Sequence, residues 1–234
     1  MTADTAVLLV CAGNASRMGG INKILHPLGN TTVLLHGLRT FCQCESVAEL
    51  VVVCREQDLP RFRQIIDQEQ LPLPVSAVTG GSTRQQSVAN GFAAVRTDCA
   101  YLAIHDGARP LVKPADIEHV IADARAYGAA TLGVPVKDTV KIVKDGTICE
   151  TPDRSLLWLT QTPQVFRRQS YAEALAAASA AGKDYTDDCQ LMESLGLSVA
   201  MTRGDYSNIK LTTPEDFAVA EALLTAAQKE REQA

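Results

Sequence analysis

The chain has 234 residues and a mass of 25.1 kDa, enough for one large α/β domain or two small ones with a substantial core. Its formal net charge of −5 and isoelectric point near 5.4 argue against nucleic acid or an anionic membrane as a partner. No stretch is apolar enough for a membrane span, and the amino terminus lacks the pattern of a secretory signal, so we expect a cytoplasmic protein.

The first predicted element is a strand followed by a loop of small residues. Residues 6–11 (AVLLVC) are aliphatic without alternation, which predicts a strand buried on both faces of a parallel sheet. From Ala12 to Gly20 nearly every residue is small, so a ligand could accept hydrogen bonds from the main chain. Phosphate suits such a loop, and the charges of Arg17 and Lys23 would close over it. This pattern indicates nucleotide chemistry.

The rest of the chain alternates between strand and helix patterns. The predicted strands are residues 49–54, 74–78, 101–104, 130–135 and 197–202. The predicted helices are residues 34–41, 59–69, 87–95, 114–126, 168–181 and 214–228. This βαβ alternation predicts a single α/β domain over residues 1–234, with a doubly wound, mainly parallel sheet of the Rossmann-like type. Such sheets bind ligands at the carboxyl ends of their strands.

One segment breaks this rhythm. Residues 136–159 alternate Val or Ile with Lys, Thr and Asp, and turn at Asp145-Gly146, which predicts a protruding β-hairpin arm instead of a crossover helix. A two-stranded ribbon is marginally stable alone, so we expect the arm to pack on another subunit.

Two clusters of polar residues follow predicted strands. Residues 79–84 (TGGSTR) lead into a helix through Ser87; they form either an ordinary capped turn or a backbone site for a base or phosphate. Residues 105–110 (HDGARP) combine an acid, a base and a guanidinium. Asp106 suits a nucleotide ribose or a magnesium ion, whereas the alternative is an Asp106–Arg109 pair that only shapes the loop.

Two further segments of interest lie near the carboxyl terminus. Both segments are polar: residues 185–188 (YTDD) and residues 208–216 (NIKLTTPED). Within the second, residues 213–216 (TPED) have the composition typical of a helix N-terminus, with proline at the first position and acids in the first turn. Lys210 is not explained in that way. It ends a short apolar run, which suits a cation directed into the site.

Taken in order, these motifs resemble those of the sugar-alcohol phosphate cytidylyltransferases. Residues 11–19 (CAGNASRMG) resemble the family pattern A-A-G-x-G-x-R-M-G, and residues 80–91 (GGSTRQQSVANG) resemble G-G-x-x-R-x-x-S-V-x-N-G. Residues 105–110 match H-D-A-A-R-P except at Gly107, and residues 134–141 (VPVKDTVK) resemble V-P-V-x-D-T-I-K. Residues 161–166 (QTPQVF), 186–188 (TDD) and 208–210 (NIK) complete the resemblance, which covers nearly the whole chain.

The resemblance implies an enzyme that joins CTP to a sugar-alcohol phosphate, releases pyrophosphate and uses Mg²⁺ or another divalent cation. It favours 2-C-methyl-D-erythritol 4-phosphate as the acceptor, a step of non-mevalonate isoprenoid synthesis, with ribitol 5-phosphate as the alternative. A non-catalytic nucleotide-binding module is a further alternative, which the sheet alone would allow. A nicotinamide-dependent oxidoreductase would need G-x-G-x-x-G, which residues 13–18 (GNASRM) lack.

The resemblance also implies roles for individual residues. Arg17 and Lys23 would stabilise the transition state, and Arg154 and Lys210 would position the acceptor phosphate. The nucleotide would be bound by Cys11, Ala12, Gly13, Asn14, Gly81, Ser82, Ser87, Asp106 and Ala108, with Asp106 also a candidate metal ligand. The acceptor would be bound by Arg109, Thr139, Thr162 and Thr186, and the arm would reach the partner's active site. Ala15, Asn22 and Ile24 depart from the family pattern, whereas the two cations Arg17 and Lys23 are retained.

Overall fold

The computed structural model describes residues 3–13 and 22–232. Eleven strands and seven helices are assigned within this part of the chain. The strands are β1 (Thr5–Val10), β2 (Pro27–Leu28), β3 (Thr31–Thr32), β4 (Val47–Cys54), β5 (Val75–Thr79), β6 (Tyr101–Asp106), β7 (Ala129–Pro135), β8 (Ile142–Lys144), β9 (Thr147–Glu150), β10 (Trp158–Arg167) and β11 (Ala200–Arg203). The helices are α1 (Val33–Phe41), α2 (Leu59–Glu69), α3 (Arg84–Ala93), α4 (Pro114–Tyr127), α5 (Arg168–Ala180), α6 (Asp188–Glu193) and α7 (Pro214–Glu232).

The predicted doubly wound sheet is confirmed. Seven strands form it in the order β11-β7-β10-β6-β1-β4-β5. The pairs β1–β4, β1–β6, β4–β5 and β7–β11 are parallel, and β10 lies antiparallel between β6 and β7. Sequence reasoning did not identify β10 as a strand of this sheet. Its insertion separates β6 from β7, so two parallel strands flank an antiparallel one.

Helices cover both faces of the sheet. One hydrophobic cluster packs α1, α2, α4 and α7 against one face, with Phe41, Phe62 and Phe217 among its members. The second cluster packs α3, α5 and α6 against the other face and includes Tyr171 and Phe166, which are both fully buried. The interior strand β1 is buried from Thr5 to Leu9, as its unbroken aliphatic sequence predicts. Because β1, β4, β5 and β6 run parallel, the loops at their carboxyl ends lie at the same edge of the sheet.

The predicted arm is a separate hairpin of β8 and β9. Asp145 and Gly146 form its turn with φ values of 48° and 76°, and positive φ at both positions is what a type I′ hairpin turn requires. Every residue of both strands is exposed in the single chain, including Ile142, Val143 and Ile148. The apolar side chains of the hairpin are thus exposed and do not pack on the seven-stranded sheet of the same chain.

No helix in the described ranges 3–13 and 22–232 is both long and apolar enough to cross a membrane.

Candidate active site

A cavity of about 570 Å³ opens at the carboxyl ends of β1, β4, β5 and β6. This volume lies in the ordinary range of small-molecule sites. The described residues that line it are Val10, Cys11, Ala12, Gly13, Lys23, Ile24, Cys54, Arg55, Glu56, Thr79, Gly80, Gly81, Ser82, Thr83, Arg84, Ser87, Asp106, Ala108 and Lys210. Ten of the residues selected from the sequence are therefore brought together: Cys11, Ala12, Gly13, Lys23, Gly81, Ser82, Ser87, Asp106, Ala108 and Lys210.

The floor of the cavity is the junction between β1 and the loop after β6. The Gly107 N–H donates to the Val10 carbonyl at 2.9 Å, which holds this loop against the end of β1. A Cβ at Gly107 would lie 2.3 Å from the Cys11 sulfur. Glycine at position 107 therefore fits beside the thiol, whereas a methyl group there would require the sulfur or the backbone to shift.

The turn after β5 is built for close backbone approach. The Gly80 N–H donates to the Cys54 carbonyl, and a Cβ at Gly80 would lie 2.7 Å from both Ala12 Cβ and Ser87 Oγ. Ser87 Oγ accepts from the Gly81 N–H at 3.0 Å and donates to the Thr83 carbonyl at 2.8 Å. The Ser87 hydroxyl thus fixes the shape of the glycine turn, and its predicted contact with a base remains a prediction.

Asp106, at the end of β6, is the acid at the centre of the cavity. Lys210 Nζ lies 2.7 Å from its Oδ2, and the guanidinium nitrogens of Arg84 and Arg109 lie 3.8 Å from its carboxylate. Burial alone would raise the pKa of Asp106, but Lys210 above all, then Arg84 and Arg109, bring it below its usual range. Asp106 is therefore ionised and surrounded by positive charge.

The predicted acceptor residues Arg109 and Thr162 lie behind Asp106. Arg109 donates to the carbonyl of Asn208 at 2.7 Å. Thr162 is buried, and its Oγ accepts from the Asp106 N–H at 3.0 Å. The same oxygen lies 3.1 Å from His105 Nδ1, and His105 Nε2 lies 3.0 Å from the Arg109 carbonyl. Both residues hold the loop that carries Asp106; a direct contact of either with an acceptor stays a prediction.

The His105 hydrogen bonds define its tautomer. The Arg109 carbonyl can only accept, so Nε2 carries the proton, and Nδ1 accepts from the Thr162 hydroxyl. Burial lowers the pKa of His105 to about 4, so the ring is neutral at pH 7. Sequence reasoning noted this histidine but gave it no site role.

Three further predicted residues, all described in the structure, do not line the cavity. Thr139 and Arg154 are exposed on the arm, where Arg154 donates to the Lys137 carbonyl at 2.7 Å. Thr186 is exposed, and its hydroxyl donates to Gln190 at 3.1 Å. Asn14 and Arg17 lie outside the described residues. The roles given to these residues remain predictions.

Several residues of the cavity were not predicted from the sequence. Arg55 and Glu56 follow β4, and Arg84 begins α3. The signal for the first two was available, because they directly follow a predicted strand whose carboxyl end faces the same edge. Arg84 lies in the motif of residues 80–91, but its partner Asp188 is 104 residues away and no spacing could reveal that pairing.

Comparisons with known proteins agree with this geometry. The sequence model of the family "2-C-methyl-D-erythritol 4-phosphate cytidylyltransferase" (IspD) matches residues 5–226. The curated enzyme of that name from Syntrophotalea carbinolica is 46% identical over 221 residues, covering 93% of this chain and 95% of the relative. The chloroplastic enzyme of that name from Oryza sativa is 40% identical over 94% of this chain and 74% of its own length.

Solved structures show the same similarity. The 4-diphosphocytidyl-2C-methyl-D-erythritol synthase from Anaerococcus prevotii superimposes with a TM-score of 0.85 at 28% identity, covering 94% of this chain and 98% of that one. The 2-C-methyl-D-erythritol 4-phosphate cytidylyltransferase from Thermus thermophilus gives a TM-score of 0.79 at 31% identity, covering 95% of this chain and 98% of that one.

Proposed function

The chain belongs to the 2-C-methyl-D-erythritol 4-phosphate cytidylyltransferase family, and from this membership we infer that it transfers the cytidylyl group of CTP to 2-C-methyl-D-erythritol 4-phosphate. The products are 4-diphosphocytidyl-2-C-methyl-D-erythritol and pyrophosphate, and the step belongs to isoprenoid precursor biosynthesis. An oxygen of the acceptor phosphate attacks the α-phosphorus of CTP, and the bond from that phosphorus to the β-phosphate bridge oxygen breaks. The nucleophile is already an anion, so positioning and charge stabilisation carry the catalysis.

The observation that best supports this reaction at the cavity is the convergence of two distant lysines on it. Lys23 and Lys210 both line the cavity, and Lys23 Nζ donates to the Leu211 carbonyl at 2.8 Å, directly beside Lys210 in the chain. We propose that Lys23, with Arg17, stabilises charge on the α-phosphate and the leaving pyrophosphate. Lys210 then holds the acceptor phosphate for attack.

The turn after β5 and the end of β1 form the proposed cytosine pocket. Main-chain groups of Cys11, Ala12, Gly81 and Ser82 would contact the pyrimidine edge, and Ser87 holds the turn in shape. The small side chains leave room for the ring. Gly13, Asn14, Asp106 and Ala108 complete the proposed nucleotide site.

The acceptor site requires a second subunit in this proposal. Thr139 and Arg154 lie on the arm, whose exposed apolar strands suit packing on another copy of the chain. In the proposed homodimer, the partner's Arg154 and Thr139 complete the acceptor side, together with Arg109, Thr162 and Thr186. The chain is then one nucleotidyltransferase domain with a dimerisation arm at residues 136–159.

A divalent cation, which nucleotidyltransfer generally uses, fits the residues present. Among residues 3–13 and 22–232 there is no cluster of three His, Cys, Asp or Glu side chains that could hold a metal. Mg²⁺ commonly binds through one or two carboxylates plus substrate phosphates, and Asp106 supplies one ionised carboxylate in the cavity. We propose that Asp106 and the CTP phosphates hold Mg²⁺, which would neutralise phosphate charge.

A cytoplasmic location is also proposed. Five cysteines, Cys11, Cys44, Cys54, Cys99 and Cys189, are buried as free thiols, which suits a reducing compartment.

The experiment is a turnover assay with CTP and Mg²⁺, in which the acceptor is either 2-C-methyl-D-erythritol 4-phosphate or ribitol 5-phosphate. Pyrophosphate release and the cytidylylated product are both followed. We expect turnover with the methylerythritol acceptor and a far lower kcat/KM with ribitol 5-phosphate. A preference for ribitol 5-phosphate would overturn the acceptor assignment, and no turnover with either would overturn the proposed activity.

A further inference from the structure

A short segment behind the cavity, residues 183–188, holds the first turn of α3. Three successive residues of that turn are each bonded to it: Thr83 Oγ donates to Asp184 at 3.3 Å, Arg84 to Asp188 at 2.6 Å, and Gln85 Nε2 to the Lys183 carbonyl at 3.1 Å. The Tyr185 N–H donates back to Gln85 at 3.1 Å. Because this turn carries the glycine loop of the proposed cytosine pocket, its position sets the shape of the pocket.

Asp188 is the buried anchor of that segment. Its exposed fraction is 3%, and each carboxylate oxygen has a partner. Oδ1 accepts from the Tyr171 hydroxyl at 2.6 Å, and Oδ2 accepts from Arg84 at 2.6 Å. Its N–H donates to Gln164 Oε1 on β10 at 3.1 Å. Tyr171 is fully buried against Phe166 and Phe92, and its hydroxyl contacts the carboxylate from the core side.

Arg84 links this anchor to the cavity. One guanidinium nitrogen binds Asp188, and another lies 3.8 Å from Asp106 Oδ1. Burial alone would lower the pKa of the Arg84 guanidinium, but the charges of Asp188 and Asp106 outweigh it and raise the pKa. A guanidinium held by Asp188 is therefore directed at the edge of the cavity without making a close ion pair with Asp106.

We propose that Asp188 is a positioning residue for the nucleotide: it holds Arg84 and the first turn of α3 so that the cavity has the shape that CTP requires. Without this anchor, the nearest remaining acid for Arg84 is Asp106. The guanidinium would move onto the carboxylate that the reaction needs, and the first turn of α3 would lose the one ion pair among its bonds to residues 183–188. The inference rests on the proposed binding of CTP in this cavity.

The test is a calorimetric measurement of the Kd for CTP with Mg²⁺ and no acceptor, using Asp188→Asn. We expect a Kd raised about tenfold or more and kcat/KM lowered by about 10- to 100-fold, because small misplacements at a site have effects of that size. Charge alone predicts the opposite sign, since the Asn variant has one negative charge fewer near a polyanion. Tighter or unchanged CTP binding would overturn the proposal.

Tyr171→Phe is the matched control. It removes the other hydrogen bond to the same carboxylate but leaves Arg84 anchored. Its Kd for CTP is expected to stay within about twofold of wild type, even if the melting temperature falls. If Tyr171→Phe and Asp188→Asn weaken CTP binding equally, the role of Asp188 is general stability and the proposal fails.

A double variant keeps the test decisive if Asp188→Asn alone does not fold. Arg84→Gln with Asp188→Asn removes both charges, so neither is left buried without a partner. If Asp188 acts through Arg84, the double variant binds CTP as weakly as Arg84→Gln alone and no weaker. Additive losses would overturn the proposal. If the wild type turns over CTP and these variants bind CTP as tightly as the wild type does, the role of Asp188 fails but the proposed function stands. If the wild type itself is inactive, the proposed function is overturned.

Discussion

Lys210 Nζ lies 2.7 Å from Asp106 Oδ2. Lys210 is the cation proposed to hold the acceptor phosphate, and Asp106 is the candidate metal ligand. The two side chains therefore form an ion pair when no substrate is bound. The Lys210 side chain is 44% exposed and belongs to the loop after β11, so it can exchange this carboxylate for a phosphate. The acceptor phosphate would then free one oxygen of Asp106 as it binds. Acceptor binding and divalent-cation binding should therefore favour each other.

Replacing Lys210 tests its proposed contact with the acceptor phosphate. Lys210→Met removes a charge-assisted hydrogen bond to the acceptor phosphate, which is worth about 1.5–3 kcal/mol. We expect kcat/KM for the acceptor to fall roughly 10- to 150-fold, with a much smaller change in the Kd for CTP. Lys113→Met is the control, because Lys113 pairs with Asp205 outside the cavity. Equal losses in the two variants would contradict the role of Lys210.

Gly107 and Cys11 should behave as a coupled pair. Gly107→Ala places a methyl group 2.3 Å from the Cys11 sulfur, and overpacking of this kind costs about 1–3 kcal/mol of unfolding free energy. Cys11→Ala in the same chain removes the sulfur and should restore most of the loss. Urea unfolding of the two single variants and the double variant measures the coupling energy. Additive effects would show that the thiol and the glycine do not determine each other.

His105 should make stability depend on pH between about 4 and 6.5. Its folded pKa is lowered to about 4 from 6.5, so the unfolded chain binds its proton first as the pH falls. The neutral ring contributes fully above pH 6.5, and that contribution is lost on acidification towards pH 4. A pKa difference of this size corresponds to about 3 kcal/mol of unfolding free energy.

The measurement is urea unfolding at pH 7, 6, 5 and 4.5 for wild type and His105→Gln. The variant is expected to be less stable at pH 7, since it loses the bonds to Thr162 and the Arg109 carbonyl. Its unfolding free energy should change less than that of wild type over this range. Parallel pH profiles would show that His105 is not the group responsible.

Much of the fold could be predicted because its elements carry local signals. The predicted helix 59–69 matches α2, and the turn at Asp145-Gly146 lies where the structure has it. Helix α3 begins at Arg84, three residues before the predicted start, because Thr83 caps it by accepting from the Gln86 N–H. Strand β10 was missed because Pro163 interrupts its apolar run and proline is unusual inside a sheet.

The site was predictable where it follows strand ends and not where it depends on distant pairs. Loops after β1, β5 and β6 carry glycines and charged residues in short motifs, and the structure brings them to one cavity. The Asp188–Arg84 and Asp106–Lys210 pairs join residues about a hundred positions apart. Such contacts depend on how the sheet orders its strands, and the position of β10 in that order was not foreseen.

In the proposed homodimer, each active site combines the strand-end cavity of one subunit with the arm of the other. Mixing two inactive variants tests it directly: Lys23→Met impairs the cavity, and Arg154→Ala impairs the arm. After denaturation and refolding of an equal mixture, half of the dimers are mixed, and each mixed dimer has one site with both residues intact. We predict that about a quarter of the wild-type activity returns. If each arm served its own subunit, every site would carry one substitution, and the absence of any recovery would contradict the account.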